Sequence, residues 1–327
     1  MSFKAIVARK SDDGGISAQV ETVAEDFLDE SEVDVSVEWS SINYKDAIAI
    51  YTNQIIQAFP LIPGIDFAGT VTQSSDPRFS PGDKVVATGH ALGVTHHGGF
   101  SQRARLKADW LVKLPSSIST RDSMAIGTAG FTSMLSVLAL EHGGITPGRG
   151  SVLVTGASGG VGSIATAILA KLGYTVIAST GKAESNYLKN LGASEILDRA
   201  ELSGEGKPIA PDRWPAAIDT VGGQTLANVL SQTGYRGVVT ACGFVGGREL
   251  PTSVLPFILR NVTLAGIDSV NAPQSVREAA WQRLATDLDL DKLASTIKEI
   301  GLGEVGALAG AMLQGKVKGR TLVNVNA

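Results

Sequence analysis

The chain has 327 residues, of which 43% are hydrophobic and 18% charged, and its formal net charge is −4 at pH 7. This length predicts two domains, and a slightly acidic chain without a basic run argues against nucleic-acid binding. The one cysteine, Cys242, excludes an internal disulfide and a multi-cysteine zinc site, and it fits a reducing compartment. We find no secretory signal and no apolar stretch of membrane-spanning length, so we expect a cytoplasmic protein without a membrane partner.

The first third of the chain is punctuated by glycine and proline and predicts many short strands. Val33, Val35, Val37 and Trp39 alternate with polar residues, which is the pattern of a strand with one buried face. A polar segment, residues 40–46 and called the polar corner below, follows this strand and is flanked by apolar residues. Further strands are predicted at 3–8, within 60–72, at 84–87 and within 98–107. Many short strands joined by such turns favour a partly open β-barrel.

The rest of the chain alternates apolar strands with helical patterns. The predicted helices lie at 122–141, 187–191, 225–230, 275–288 and 293–300, and the predicted strands at 152–154, 174–178, 195–197, 216–220, 237–243 and 261–267. This alternation predicts a parallel doubly wound sheet of about six strands, which binds its ligand at the carboxyl ends of the strands. A last strand at 320–325 is expected to return to the first domain.

Residues 151–173, SVLVTGASGGVGSIATAILAKLG, carry the strongest signal for a ligand. An apolar strand meets a glycine-rich turn, and an apolar helix then runs to Gly173. The G-x-G-x-x-G pattern falls on Ala157, Gly159 and Gly162, with alanine in the first position. Small residues let the backbone approach a ligand, and the helix N-terminus attracts a diphosphate. We therefore predict a dinucleotide site; the alternative is a glycine-rich turn that binds nothing.

The end of the next strand indicates which dinucleotide is bound. A site for NAD needs an acidic residue about 20 positions after the turn, where it holds the ribose diol. Here the strand ends in Ser179, Thr180, Gly181 and Lys182, and the next carboxylate is Glu184. Hydroxyls and a lysine suit a 2′-phosphate, so we predict NADP(H); the alternative is that Lys182 is a solvated loop residue.

Several motifs occur together and in the order found in one known superfamily. They are SSINYKDAIAI at 40–50, PGIDFAG at 63–69, PGDKV at 81–85, GTAGFT at 127–132, GASGGVG at 156–162 and GRTLV at 319–323. With these motifs the chain resembles the medium-chain dehydrogenase/reductase superfamily over nearly its whole length. Within it, the chain is most similar to the acrylyl-CoA reductase group of the AcuI/YhdH type, which is also labelled quinone oxidoreductase.

This resemblance implies an α/β fold with two domains. The first is a GroES-like, partly open β-barrel catalytic domain over 1–123 and 270–327, and the second is a Rossmann NADP-binding domain over 124–269. The implied activity is zinc-independent transfer of hydride from NADPH to the β-carbon of an α,β-unsaturated thioester, with acrylyl-CoA reduced to propionyl-CoA. Two alternatives stay open: an NADPH-dependent reductase of quinones or small enones, and a non-catalytic NADPH-binding protein.

The zinc alcohol dehydrogenases of the same superfamily provide a contrast. Their metal ligands are replaced here by the corner Asn43–Asp46, and their PGHE motif by Pro63–Asp66. His90, His96 and His97 form the one cluster with ligand chemistry, but they lie on a glycine-flanked loop without a third family ligand. We therefore predict no metal site.

The resemblance also implies particular site residues. Tyr44 is the predicted catalytic donor, with Asp46 orienting it and Asn43 positioning the cofactor; their alternative roles are a core tyrosine, a helix cap and a turn residue. Arg103, Arg105 and Lys107 either meet the phosphates of coenzyme A or form a solvated face. The implied cofactor contacts are Tyr44, Thr128, Ser158, Gly159, Gly160, Val161, Thr180, Gly181, Lys182, Arg199, Phe244, Ile258 and Ser269.

Three of these contacts have other readings from the sequence alone. Thr128 would be a helix N-cap, and Phe244 and Ile258 would be ordinary core residues.

The strand at 261–267 lies at the edge of the predicted sheet, where it can pair with its copy in a second chain. We therefore also predict a homodimer.

Overall fold

The computed structural model describes residues 2–11, 14–52, 54–181 and 186–327. Its strands are β1 (Ser2–Lys10), β2 (Ile16–Ala24), β3 (Val33–Ser41), β4 (Asp66–Ser74), β5 (Lys84–Thr88), β6 (Arg103–Leu106), β7 (Leu111–Lys113), β8 (Ser151–Val154), β9 (Thr175–Thr180), β10 (Glu195–Asp198), β11 (Trp214–Asp219), β12 (Thr233–Ala241), β13 (Thr263–Gly266), β14 (Ile297–Gly301) and β15 (Arg320–Asn324).

The helices complete the element order. They are α1 (Tyr44–Tyr51), α2 (Thr120–His142), α3 (Gly160–Lys171), α4 (Asn186–Asn190), α5 (Gly223–Ser231), α6 (Leu255–Arg260), α7 (Gln274–Asp287), α8 (Leu290–Ala294) and α9 (Val305–Leu313). Short 3₁₀ turns lie at Glu25–Phe27, Ala108–Trp110, Pro147–Arg149, Arg199–Leu202 and Leu302–Glu304.

The chain divides into two compact units, of which the first comprises Met1–Thr128, Ser269–Ala285 and Ile297–Ala327. Its main sheet has the order β14-β15-β3-β4-β5-β7, with β6 paired to β3, and β1 and β2 form a separate antiparallel pair. The alternating valines of β3 point into the core, as the sequence predicts. The final strand β15 lies antiparallel to β3 and so returns to this unit as expected.

The second unit comprises Ala129–Asp268 and Thr286–Thr296. It holds a six-stranded sheet of order β10-β9-β8-β11-β12-β13, in which every pair is parallel. The central strands β8 and β11 are mostly apolar and almost entirely buried, because helices cover both faces of a parallel sheet. The predicted combination of a barrel-like domain and a doubly wound domain is confirmed.

One predicted helix, at 293–300, is wrong. Helix α8 ends at Ala294, and the following residues form β14, which runs parallel to β15 from Ile297 to Gly301. The exposed Lys298 and Glu299 favour a helix locally, but Ile300 is buried through pairing with a strand that is distant in sequence. Long-range pairing of this kind overrides local propensity.

Helix α2 is interrupted at Gly127, where φ is +53° and ψ is −161°. A Cβ atom there would collide with the Arg320 guanidinium and lie 2.9 Å from Oδ2 of Asp66, so only glycine fits. The expectation that no apolar stretch reaches membrane-spanning length is also wrong, because α2 has 23 residues and a mean hydropathy of 1.5 over an 18-residue window. That window is 89% buried inside the protein, so the apolar length of α2 forms core.

Candidate active site

The glycine-rich turn connects β8 to α3 in the second unit. Gly156 has a φ of +57°, and Gly159 is the residue that precedes the helix. A Cβ atom on Gly162 would lie 2.5 Å from the carbonyl oxygen of Gly156, so glycine is required for the turn to pack against the helix. The first helical residues are Gly160 and Val161, whose position places their backbone at the positive end of α3. This turn can hold a diphosphate.

Side chains from three other elements hold the turn in place. The Tyr187 hydroxyl donates to the Ser158 carbonyl at 3.0 Å, and the Thr180 hydroxyl donates to Ser158 Oγ at 3.0 Å. The Ser133 hydroxyl donates to the Val161 carbonyl at 2.8 Å. The predicted contacts Ser158 and Thr180 therefore lie together in the structure. Tyr187 is a supporting residue for which the sequence pattern contains no signal.

Gly181 follows β9, where the sequence predicts recognition of a 2′-phosphate. The Arg199 side chain crosses directly over it, since a Cβ atom on Gly181 would collide with Nε and lie 2.6 Å from Cδ of Arg199. Two predicted contacts that are 18 positions apart are thus neighbours, and the exposed guanidinium lies at the end of the strand. Lys182, the third predicted contact here, lies outside the described residues.

Tyr44 is the first residue of α1, and its side chain is 40% exposed. This exposure rules out the alternative of a core tyrosine. Asn43 precedes the helix, and its backbone N–H donates to Asp46 Oδ2 at 2.8 Å. Asp46 therefore caps α1 from within the first turn and fixes the start of the helix that carries Tyr44.

A second buried carboxylate, Asp66, connects this corner to the rest of the unit. Its Oδ1 accepts from the backbone N–H and the hydroxyl of Ser41, at 3.1 and 2.7 Å. Its Oδ2 accepts from Asn43 Nδ2 at 2.9 Å and from the Thr128 backbone N–H at 2.8 Å. Asp66 thus positions two predicted site residues, Asn43 and Thr128, relative to each other.

Arg320 is buried beside this carboxylate and supplies a positive charge. Its Nη2 donates to Ser41 Oγ at 2.7 Å, its Nη1 to Asn43 Oδ1 at 3.3 Å and its Nε to the Ala125 carbonyl at 3.0 Å. Asp66 and Arg320 were not predicted as site residues. The sequence offered a signal for Asp66 alone, because it occupies the last position of the altered PGHE motif.

Burial and the nearby Asp66 carboxylate raise the pKa of Asp46 to about 7. The side chain has no solvent exposure, and water is therefore unavailable to stabilise its charge. The hydrogen bonds that it accepts from the Asn43 and Ile65 N–H groups oppose this shift but do not cancel it.

The raised pKa of Asp46 predicts that its contribution to stability decreases between pH 5 and 8. Below its unfolded value of 3.8 both states hold the proton, and as the pH rises toward 7 the unfolded state alone releases it. The contribution of Asp46 to the free energy of unfolding therefore falls by about 2–3 kcal/mol between pH 5 and 8, and Asp46→Asn removes this contribution. Urea denaturation of both proteins at each pH measures the difference between them.

Asp76→Asn is the matched control for this prediction. Hydrogen bonds from Arg78 lower the pKa of Asp76 to about 2, so Asp76 is fully ionised throughout the range from pH 5 to 8. The difference between wild type and this variant is expected to stay constant from pH 5 to 8. An equally constant difference for Asp46→Asn would contradict the prediction.

The remaining predicted contacts are Phe244 and Ile258 in the second unit and Ser269 in the first. Phe244 and Ile258 are 50% and 69% exposed, so they are not the core residues of the alternative reading. Arg248 stacks on Phe244, with its guanidinium 5.3 Å from the ring centroid. Ser269 is half-buried and precedes α7, which begins at Gln274.

The histidines of the glycine-flanked loop are engaged with neighbouring groups. His96 Nε2 lies 2.8 Å from the Arg105 carbonyl, His97 Nδ1 accepts from the Ile62 N–H at 3.1 Å, and His90 stacks on Trp110. Among the described residues, no group of three His, Cys, Asp or Glu side chains has the arrangement of a metal site.

The basic residues in β6 and directly after it also contact neighbouring side chains. Arg103 pairs with Glu25 at 3.1 Å and Arg105 with Asp34 at 2.6 Å, while Lys107 lies 5.7 Å from the ring centroid of Trp110. These contacts favour the alternative of a solvated face over that of a phosphate site.

Comparison with known proteins identifies the family. The acrylyl-CoA reductase AcuI of Ruegeria pomeroyi is 50% identical over 329 residues, which cover 99% of this chain and 100% of that protein. The chain belongs to the AcuI/YhdH family of medium-chain dehydrogenases/reductases. Family models agree: that of the alcohol dehydrogenase GroES-like domain matches residues 29–116, and that of the zinc-binding dehydrogenases matches 160–286.

Two solved AcuI/YhdH-type structures bear on the cofactor. The yhdH oxidoreductase of Salmonella enterica, in complex with NADP, is 51% identical with a TM-score of 0.96, over 99% of this chain and 100% of that one. The yhfP protein of Bacillus subtilis, with NAD bound, is 45% identical with a TM-score of 0.96 over the same shares. The chain therefore shares its fold with both proteins over its full length. The two bound cofactors differ, because NADP carries a 2′-phosphate and NAD does not.

Proposed function

We propose that the protein is an NADPH-dependent reductase of α,β-unsaturated acyl-CoA thioesters, with acrylyl-CoA as the favoured substrate. The observation that carries this proposal is the 50% identity, over the full length of both chains, to an acrylyl-CoA reductase. The overall reaction converts acrylyl-CoA, NADPH and a proton into propionyl-CoA and NADP⁺. The free thiol of Cys242 supports a reducing, cytoplasmic setting for this chemistry.

The second unit fits a dinucleotide that carries a 2′-phosphate. The turn can pack against α3 only because Gly162 lacks a side chain, and this packing keeps the turn backbone at the positive N-terminal end of the helix, where a diphosphate binds. At the end of β9, the Arg199 guanidinium lies over Gly181, in the position where a 2′-phosphate requires positive charge. The NADP complex of the Salmonella relative supports this choice. We assign Ser158, Gly159, Gly160 and Val161 to the diphosphate, and Thr180, Gly181, Lys182 and Arg199 to the 2′-phosphate.

Bound NADPH supplies the hydride, and the protein supplies position and electrostatics. As hydride reaches the β-carbon, negative charge develops on the thioester oxygen and the α-carbon must gain a proton. We assign the Tyr44 hydroxyl as the donor that stabilises this charge. Asn43 and Asp46 fix the start of α1, while Thr128, Phe244, Ile258 and Ser269 are assigned to the nicotinamide half.

A side-by-side assay tests this function. Oxidation of NADPH is followed at 340 nm with acrylyl-CoA, a soluble quinone and a small enone as acceptors. The proposal predicts the highest kcat/KM for acrylyl-CoA and propionyl-CoA as its product. A higher kcat/KM for the quinone or the enone would instead identify the alternative reductase, and NADPH binding without turnover on any acceptor would identify a non-catalytic protein.

We also propose a homodimer that forms through the edge of the second unit's sheet. Strand β13 pairs only with β12 among the described strands, so one of its edges is open. The neighbouring helix α6 exposes Leu259, which is 60% exposed, and Val254 precedes it with 65% exposure. An open strand edge beside an exposed apolar helix is typical of a surface that pairs with its own copy.

The dimer is tested by introducing a charge into this surface. We expect the wild type to have the mass of a dimer by light scattering and Leu259→Asp to be a monomer, because an unpaired carboxylate cannot be buried without a large cost. Val20→Asp, on an exposed position of β2 in the first unit, is the control and stays dimeric. A monomeric wild type at all concentrations would contradict the proposal.

A further inference from the structure

The residues Ser269 and Val270, called the 269–270 segment below, are held from two sides within the first unit. The segment precedes α7, which begins at Gln274, and it carries Ser269, which the proposed function assigns to the nicotinamide half of the cofactor. Its own sequence contains no turn motif or glycine that would fix its conformation. Its position must therefore be determined by the residues that surround it.

Arg277, in the first turn of α7, holds the segment from one side. Its side chain is 1% exposed, although arginine is rarely buried. Nη2 donates to the carbonyls of Ser269 and Val270, at 3.1 and 2.7 Å. Nη1 donates to the carbonyl and the hydroxyl of Thr88, at 2.7 and 3.0 Å, and Nε donates to the Ala272 carbonyl at 2.9 Å.

These five bonds use every N–H group of the guanidinium. Because the fork is planar and rigid, it fixes the carbonyls of the segment relative to Thr88 at the end of β5. A lysine has three donors and no fixed plane, so it cannot reproduce this arrangement. The contact therefore joins the end of a barrel strand, the 269–270 segment and the start of α7 through one side chain.

The loop after β5 holds the segment from the other side. The His90 backbone N–H donates to the Val270 carbonyl at 3.0 Å. A Cβ atom on Gly89 would lie 2.9 Å from both the Ser269 carbonyl oxygen and the Val270 Cα, so the segment passes over Gly89 without any clearance. His90 itself adopts a left-handed φ of +51°, a conformation that is uncommon for residues other than glycine.

We propose that Arg277 is a positioning residue, which together with Gly89 sets the place of the 269–270 segment and thereby the binding of the nicotinamide half of the cofactor. This inference rests on the proposed function for the role of Ser269. Arg277 itself touches neither cofactor nor substrate in this proposal, because its five donors are all directed at protein acceptors.

The test compares a whole cofactor with a fragment that lacks nicotinamide. We expect Arg277→Met to raise the Kd of NADPH about tenfold, measured by fluorescence titration, while the Kd of 2′,5′-ADP stays within twofold of wild type. The Kd of NADPH for Arg277→Lys is expected to lie between those of wild type and Arg277→Met, since lysine restores some of the hydrogen-bond donors. A variant that was only less stable would weaken both ligands in parallel, and this result, or an unchanged NADPH Kd, would overturn the proposal.

A second pair of variants leaves Arg277 intact and displaces the segment from the opposite side. Gly89→Ala introduces a Cβ atom against the 269–270 segment at a position with a φ of +71°. Gly315→Ala carries the same backbone strain, at a φ of +70°, but no atom lies within 4 Å of its Cβ position. We expect the tenfold change in NADPH affinity for Gly89→Ala alone. Equal behaviour of the two variants would overturn the proposal even if Arg277→Met fails to fold.

Failure of this inference is distinguishable from failure of the proposed function. The proposed function fails in the wild-type protein, which would then not reduce acrylyl-CoA with NADPH. The positioning role is tested only in the variants. It is contradicted if the ratio of the Kd of NADPH to the Kd of 2′,5′-ADP is the same in the variants as in the wild type. If the wild type binds NADH instead, the same ratio is measured with NADH and 5′-AMP.

Discussion

Tyr44→Phe is expected to lower kcat with acrylyl-CoA about 10²–10³-fold, with little change in the affinity for NADPH. This is the range measured when one donor to a developing negative charge is removed from an active site. The substitution deletes one hydroxyl from an exposed ring at the start of α1, and it leaves the capping contact between Asn43 and Asp46 intact. Steady-state kinetics with acrylyl-CoA, together with NADPH titration, measure the two effects separately.

Tyr51→Phe provides the matched control on the same helix. Tyr51 is also exposed, and its hydroxyl donates to the Gly306 carbonyl at 2.9 Å. Its loss removes a hydrogen bond but no group that the proposed mechanism uses, so we expect kcat within twofold of wild type. Full turnover by Tyr44→Phe would mean that Tyr44 is not the donor.

Arg199→Ala is expected to lower kcat/KM for NADPH about 10–100-fold and to leave that for NADH unchanged. Hydrogen bonds from a guanidinium to a charged group contribute about 1.5–3 kcal/mol, and only NADPH has the 2′-phosphate that Arg199 is proposed to meet. The ratio of the two kcat/KM values is the measurement, because it is insensitive to the amount of active enzyme.

Arg213→Ala is the control for a general loss of positive charge. Arg213 is an exposed arginine of the same unit, paired with Glu201 at 3.2 Å. It is expected to leave the preference for NADPH unchanged. Equal losses for NADPH and NADH in Arg199→Ala would show that Arg199 acts on something other than the 2′-phosphate.

The sequence was sufficient to predict the fold because its strongest patterns are local. The strand, glycine-rich turn and helix around Gly159 are adjacent in the chain, and the alternating valines of β3 determine which face is buried. The predicted helix at 293–300 failed because β14 exists only through its pairing with β15, some 20 residues further on.

The site was predictable to the extent that its residues lie in motifs. Tyr44, Asn43 and Asp46 are consecutive or nearly so, and a resemblance could therefore assign them together. The contacts of Asp66 and Arg320 join positions 41, 43, 66, 125 and 320, which no sequence pattern brings together. Arg277 is not predictable for the same reason, since a buried arginine that donates to backbone carbonyls has no signature in composition or spacing.

The two buried carboxylates of the first unit have a consequence for how that region opens. Asp46 and Asp66 accept hydrogen bonds from the backbone amides of Ser41, Asn43, Ile65 and Thr128, which belong to separate stretches of the chain. If any one of these amides moves into solvent, the buried carboxylate that it served loses a hydrogen-bond donor. The folded arrangement of the other segments that donate to this carboxylate then becomes less stable. We therefore expect the start of α1, the end of β3 and the break in α2 to unfold as one cooperative unit, with fraying at a single end suppressed.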